Sequence, residues 1–400
     1  MNQKKILSGV IFFLATLFVV SLARAGEKKD QINAFLDKGI RFETADQNYS
    51  MTLSPRIQVR YAYSNREGPA NDAQSVILRR VYFSIFGSVF VKDLTYYLRL
   101  NLNPGSTTAV VSNVLEYSWL DYRFSDTLHV QTGLLKLPFN RQEMTSSGKQ
   151  QFVDRSLANE RYNLDRSLAF VVHGEPFEKI MEYYLSVSNG RATQARLNEN
   201  QEMAYTARVA FNPLGEYGEG GGDIKNSESF AMTLGLAGSL HKEETAVSPA
   251  QDRVLTGTVD LGLKYQGLSF ETAGFYRNTT RGGGASAIND FGYYAQAGYF
   301  FIPKKFEFAV RASGLFDDLG NKGGGVYFEN GSLTGLGGVN DGVDEAGDSA
   351  NEHEFSAVLN YHFKPHKIKW QTQYTLMLDG QTGTSSLTNH ILMSQIQVEI

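Results

Sequence analysis

The residues best suited to chemistry in this 400-residue chain are basic and evenly placed. Arg56, Arg60, Arg80, Arg99, Arg208 and Arg311 each fall on the polar side of a run in which polar and apolar residues alternate. Guanidinium forks take carboxylate and phosphate oxygens bidentately, and rings of Arg or Lys lining a pore favour anions. Read by position along successive runs, Arg56, Arg60, Arg80 and Arg99 lie on adjacent strands near one height in the outer half, as a positive stripe on one wall. Lys264 and Arg277 add basic groups elsewhere. A second reading stays open: Glu116, Asp260, Glu271, Glu307 and Glu354 could neutralise the same residues as ion pairs in a wet interior.

Other chemistries find little support. The 7 His are scattered, Cys is absent, and neither an H-E-x-x-H nor a G-x-S-x-G pattern occurs. The glycine runs at 220–222 and 323–325 do not lead a strand into a helix, as a phosphate-cradling loop must. Asp341, Asp344, Glu345 and Asp348 are close together but lack the alternating ligands of a calcium loop, and read as a solvated loop. The expectation is therefore no catalytic residue, no metal and no cofactor.

The elements that must carry the arginines are strands. Tyr49–Ser64 alternates over sixteen positions, interrupted only at Pro55 and Ala62, with Tyr49, Met51, Leu53, Ile57, Val59, Tyr61 and Tyr63 on one face and Ser50, Thr52, Ser54, Arg56, Gln58, Arg60 and Ser64 on the other. That is longer than a soluble strand and long enough to tilt across a bilayer, which takes about 9–11 residues. Similar runs are expected at 49–64, 76–88, 93–103, 113–124, 127–137, 166–176, 180–190, 202–212, 229–241, 254–266, 268–279, 290–303, 305–316, 352–363, 367–379 and 389–400, sixteen in all. Connections after the odd strands are long, notably 138–165 and 317–351, and those after the even strands are short, with Pro213–Glu228 the one clear exception. Long loops on one rim and short turns on the other describe an all-β transmembrane antiparallel barrel. Such an array must close, because an open edge in lipid leaves backbone groups unpaired.

Ahead of the barrel, Lys4 and Lys5, the apolar run Ile6–Leu22 and Ala23-Arg24-Ala25 predict a secretory signal peptide over residues 1–25. Residues 26–48 read as a periplasmic lead-in, charged and helical at first with a short strand or coil after Gly39, and residues 49–400 as the barrel. Loss of Lys4, Lys5 and Arg24, with no acid, takes the formal charge from -4 to -7. An acidic chain argues against a nucleic-acid partner.

Several stretches then resemble the phosphate-selective porin O/P family: LRRVYFSIFG (78–87), HVQTGLLKLPFNRQEM (129–144), FVDRSLANERYNLDR (152–166), SVSNG (186–190), TARVAFNPLG (206–215), YYAQAGYFF (293–301) and LNYHF (359–363). The most specific are Arg79-Arg80, the G-x-x-K-x-P-F of Gly133–Phe139 and the D-R-S of Asp154–Ser156. The resemblance implies a sixteen-stranded homotrimeric barrel in outer-membrane lipid, its third loop folded inward, passing small hydrophilic solutes or anions. It carries Arg80, Lys136 and Arg155 as matching motif positions and candidate ion contacts. The chain departs from the pattern at its last residue, Ile400, where outer-membrane proteins usually end in Phe. A reading of another class is a plugged barrel serving as a surface or adhesion protein through its loops.

Overall fold

Where one side of every strand meets lipid and the other meets water, side-chain polarity must switch at each residue, and the backbone must find its partners in neighbouring strands. The computed structural model describes residues 32–36, 39–66, 72–103, 114–190, 202–245, 248–282, 287–316, 352–379 and 387–400. The expected signal peptide and the acidic loop 317–351 lie outside them.

Two short strands, β1 (Ile32–Leu36) and β2 (Ile40–Thr44), precede the barrel. The barrel strands are β3 (Ser50–Arg66), β4 (Ala73–Val89), β5 (Val91–Asn101), β6 (Leu115–Ser125), β7 (Leu128–Lys136), β8 (Arg166–Gly174), β9 (Met181–Ser188) and β10 (Ala204–Phe211). They continue as β11 (Ala231–Thr245), β12 (Ser248–Tyr265), β13 (Leu268–Thr280), β14 (Ile288–Ile302), β15 (Phe306–Phe316), β16 (Glu352–Lys364), β17 (Ile368–Asp379) and β18 (Leu387–Glu399). Every pair is antiparallel between sequence neighbours, and β18 pairs with β3 from Asn389↔Arg66 to Glu399↔Arg56, so sixteen of the 18 strands close on themselves. All sixteen expected strands are present, with ends displaced by a few residues. The lead-in differs, since Ile32–Leu36 is a strand where a helix was expected. Its partner β2 binds the part of β3 that β18 does not reach, Ile40↔Leu53 to Glu43↔Ser50.

Exposure follows the alternation. Leu234, Leu236, Val259, Phe308, Val310, Leu359 and Ile396 point outward at 38–62% exposure. Phe90, Phe124, Phe177, Phe301 and Phe363, all beside the short turns, are exposed at 58–70% and form an aromatic girdle at that rim. Both the final residue and the short turns lie there, which makes it the periplasmic rim.

The chain ends with Ser54 Oγ donating to the Ile400 carbonyl at 3.0 Å and the Ile400 N–H donating to the Pro55 carbonyl at 3.2 Å. The Ile400 side chain is 47% exposed and faces outward. Ile400→Phe should therefore keep or improve assembly, read as the yield of heat-modifiable barrel on gels; a marked loss would show that the terminal side chain has no room toward lipid.

Candidate functional site in the lumen

The 29-residue connection between β7 and β8, residues 137–165, turns into the barrel instead of standing above it. Apolar groups hold it there. Phe139, Leu157, Ala158, Tyr162 and Leu164 pack with Ala273, Phe275, Tyr294 and Leu315 of the wall; Phe152 meets Ala309 and Val358; Val153 meets Ala62, Ile391 and Met393. Burying side chains of this size stabilises by about 1.5–3 kcal/mol each. The wall makes room with glycine: a Cβ on Gly292 would lie 2.3 Å from the Tyr162 ring, and one on Gly298 2.1 Å from Gln151 Nε2.

The loop contains two short helices, α1 (Arg141–Met144) and α2 (Leu157–Tyr162), capped by Asn140 and Ser156, whose side chains accept from the Glu143 and Asn159 N–H groups. Loop carbonyls away from the helices need donors, and the wall supplies them. Lys369 Nζ donates to the Gln150 carbonyl at 2.9 Å, Asn360 Nδ2 to Gln151 at 2.8 Å, and Arg311 to Asp154 at 3.0 Å and Arg155 at 3.2 Å. In return Gln373, Glu354 and Ser313 accept from the amides of Val153, Leu157 and Ala158.

Asp154 is the electrostatic centre of the loop. Arg60 Nη1 reaches its Oδ2 at 2.6 Å, while Arg79 and Arg80 approach Oδ1 at 3.4 and 3.5 Å. Burial alone would raise the Asp154 pKa, but the three guanidiniums outweigh it and hold the carboxyl below the usual range. That adjacent residues Arg79 and Arg80 both reach one carboxylate follows from a bulge. Gln58 pairs with Arg80 and Val59 with Leu78, so Arg79 is the extra residue, and both side chains aim inward. Alternation alone places only Arg80 in the lumen. Two of the most specific motifs of the sequence, Arg79-Arg80 and Asp154–Ser156, thus meet in space.

The remaining basic residues are placed as follows. Arg56 is held by Glu399 at 2.7 Å and donates to Ser146 and Ser147 of the loop, near the periplasmic end rather than at the height of Arg60. Arg99 stands apart from Asp154. Its guanidinium lies 5.1–5.2 Å from the ring centroids of Tyr82, Tyr97 and Tyr117, donating to Ser84 at 3.0 Å and to the Tyr97 hydroxyl. Lys136 and Arg155 share Glu143 at 3.1 and 3.0 Å, tying the two ends of the motif stretch together at the foot of the loop. Arg208 is paired with Asp260 at 2.6 Å and donates to the Phe139 carbonyl, and Arg311 is paired with Glu354 at 2.5 Å. Ion pairing and loop anchorage thus occupy most of the arginines that the sequence offered as a stripe.

A second inward segment was not foreseen. Residues 212–230, between β10 and β11, rise from the periplasmic rim and meet the underside of the loop. The Tyr217 ring lies between the Arg141 guanidinium at 4.1 Å and the Lys264 ammonium at 4.2 Å. Arg141 donates to the Gly218 carbonyl and Lys264 to that of Gly220, both at 2.8 Å, and Lys149 pairs with Glu219. The signal in sequence was its length, the one long connection on the short-turn side.

The model of phosphate-selective porins O and P matches residues 51–397. No curated protein matches the chain in sequence. Among solved structures, the anion-selective porin from Comamonas acidovorans is similar at a TM-score of 0.59 and 10% identity, over 88% of this chain and 99% of its own. The outer membrane channel DcaP of Acinetobacter baumannii gives 0.58 at 10% identity over 88% and 97%, and OprB of Pseudomonas putida 0.56 at 10% over 88% and 94%. At such identities the likeness is one of fold. The family match, in contrast, runs from Met51 on the seam strand to Gln397 on the last, so the chain belongs to the phosphate-selective porin O and P family and its barrel is an outer-membrane channel.

Proposed function

We propose that this channel passes small hydrophilic solutes by passive diffusion with a preference for anions. Its work is passage rather than catalysis. The observation that carries the reading is the gathering of charge at Asp154, where three guanidiniums, Arg60, Arg79 and Arg80, share one carboxylate. Arg79, at 20% side-chain exposure, is the most open of the three to the lumen. Arg99 on its tyrosine rings and Arg166, paired with Glu116 at 2.6 Å, lie on the same side of the barrel. In a narrow, low-dielectric passage this basic cluster raises local anion concentration at low salt, and screening weakens the effect as the Debye length falls from ~10 Å at 0.1 M to ~3 Å at 1 M. The name of the Comamonas acidovorans porin agrees with this preference. Export by the general secretory route after loss of residues 1–25, and assembly as a homotrimer in outer-membrane lipid, complete the proposal.

The test is the reversal potential in a salt gradient. Arg79→Ser with Arg80→Ser leaves one guanidinium against one carboxylate, and the preference for anions should fall several-fold at low salt with little change at 1 M. An unchanged potential in both salts would remove the Asp154 cluster from the selectivity of the pore.

A further inference from the structure

Near the periplasmic rim, at the start of β7, three inward side chains from adjacent strands converge. His129 on β7 and His173 on β8 are directly opposite in register, and their rings lie 4.9 Å apart. Asp121 on β6 is the diagonal neighbour of His129, which itself faces Arg123. His129 Nδ1 is 3.2 Å from Asp121 Oδ1, and His173 Nε2 is 2.8 Å from Oδ2. Among the described residues this is the group of three His, Asp or Glu whose ligand atoms all lie within 4.8 Å of one another.

Its surroundings differ from those of several other acids that face the lumen. Asp154, Asp260, Glu354 and Glu399 are each held by a guanidinium. Asp121 meets imidazoles instead, while Arg123, two residues further along β6, turns to Asp93 at 2.7 Å and Asp126 at 3.4 Å. Tyr184 stacks on His173 at 5.6 Å and 12°, fixing the ring. The side chains are 12%, 23% and 19% exposed for Asp121, His129 and His173, which admits a partly hydrated ion from the vestibule.

We propose that Asp121, His129 and His173 bind one divalent transition-metal cation of the zinc class in the periplasmic mouth of the channel. Zinc takes imidazole nitrogen at ~2.0–2.1 Å and carboxylate oxygen at ~2.0–2.2 Å, so two donors on one tetrahedral ion sit roughly 3.4 Å apart. Two of the three separations are already near that value, and the third closes by side-chain rotation on a fixed strand scaffold. The ion replaces the two imidazole–carboxylate hydrogen bonds, each imidazole carrying its proton on the nitrogen that faces away from the ion. Water completes the coordination. The bound cation adds two positive charges to the vestibule and strengthens its attraction for anions.

The experiment uses the whole barrel in detergent, stripped with chelator and titrated with Zn²⁺ by calorimetry. One saturable equivalent per chain is expected, weakened at least roughly tenfold in His129→Ala and His173→Ala. His129→Gln and His173→Gln, which keep a donor toward Asp121, control for loss of fold, checked by heat modifiability. In planar bilayers Zn²⁺ on the periplasmic side should shift the reversal potential toward anions, reversibly with chelator, in the wild type and not in the variants. Equal Zn²⁺ binding by wild type and variants, or no saturable binding by the wild type, would overturn the site and leave the three residues as a hydrogen-bonded cluster.

Discussion

Asp154→Asn will loosen the inward loop and make the channel more anion-preferring at the same time. The substitution keeps shape but removes the charge that Arg60, Arg79 and Arg80 share, so the cluster becomes more positive by one charge. Breaking a buried ion pair by removing one partner costs about 3–5 kcal/mol, because the charges left behind lose their compensation. Here the loop is still held by its carbonyl contacts to Lys369, Asn360 and Arg311 and by its apolar anchors. The expected result is a folded barrel with a lower midpoint of heat modification, noisier single-channel current and a reversal potential displaced toward anions at low salt. Because the Asp154 pKa is lowered in the folded protein, its contribution is present above the ordinary aspartate value of about 3.9 and is lost only as pH falls below that, through the folded value. Wild-type protein should therefore behave like the variant only in strong acid. Unchanged current and thermal behaviour in Asp154→Asn would mean that the loop does not depend on this cluster.

The second large effect concerns the segment that enters from below. Excising Tyr217–Gly222 removes the ring between Arg141 and Lys264 and the carbonyls of Gly218 and Gly220 that those two residues hold. It also frees the underside of the loop. Single-channel conductance should rise several-fold, and Lys264 without the Gly220 carbonyl and Lys149 without Glu219 should move selectivity further toward anions. Constant conductance would place the segment beside the current path rather than in it. The deletion leaves the wall intact, since β10 and β11 pair from Tyr205↔Leu240 to Phe211↔Leu234 without it.

The barrel was readable because lipid and water impose a two-residue period that survives in the sequence strand after strand. The outward faces of β3, β10 and β15 needed nothing beyond counting. Pairings within the lumen were not readable in the same way. Arg60 and Asp154 are 94 positions apart, and Arg56 and Glu399 are 343 apart. Alternation says which residues face inward but not which meet, so a stripe of free arginines and a set of ion pairs looked alike. His129 and His173 seemed scattered for the same reason, since only the β7–β8 register brings them face to face. The lead-in misled because five residues have no period long enough to separate helix from strand.

The bulge at Arg79 also bears on how β4 of this chain could tolerate a change in length. In β4 the outward residues are Gln74, Val76 and Leu78 before the bulge, and the buried, inward ones are Arg80, Tyr82 and Ser84 after it, so the parity of the strand changes at a single position. Elsewhere in a barrel strand a one-residue deletion turns every following lipid-facing side chain into the lumen. At Arg79 a deletion instead removes the unpaired residue and leaves both halves of β4 facing as before. The position is thus a natural point for a single-codon gain or loss, where a simpler barrel could acquire a second arginine, and with it the added charge, without disturbing its contact with the membrane.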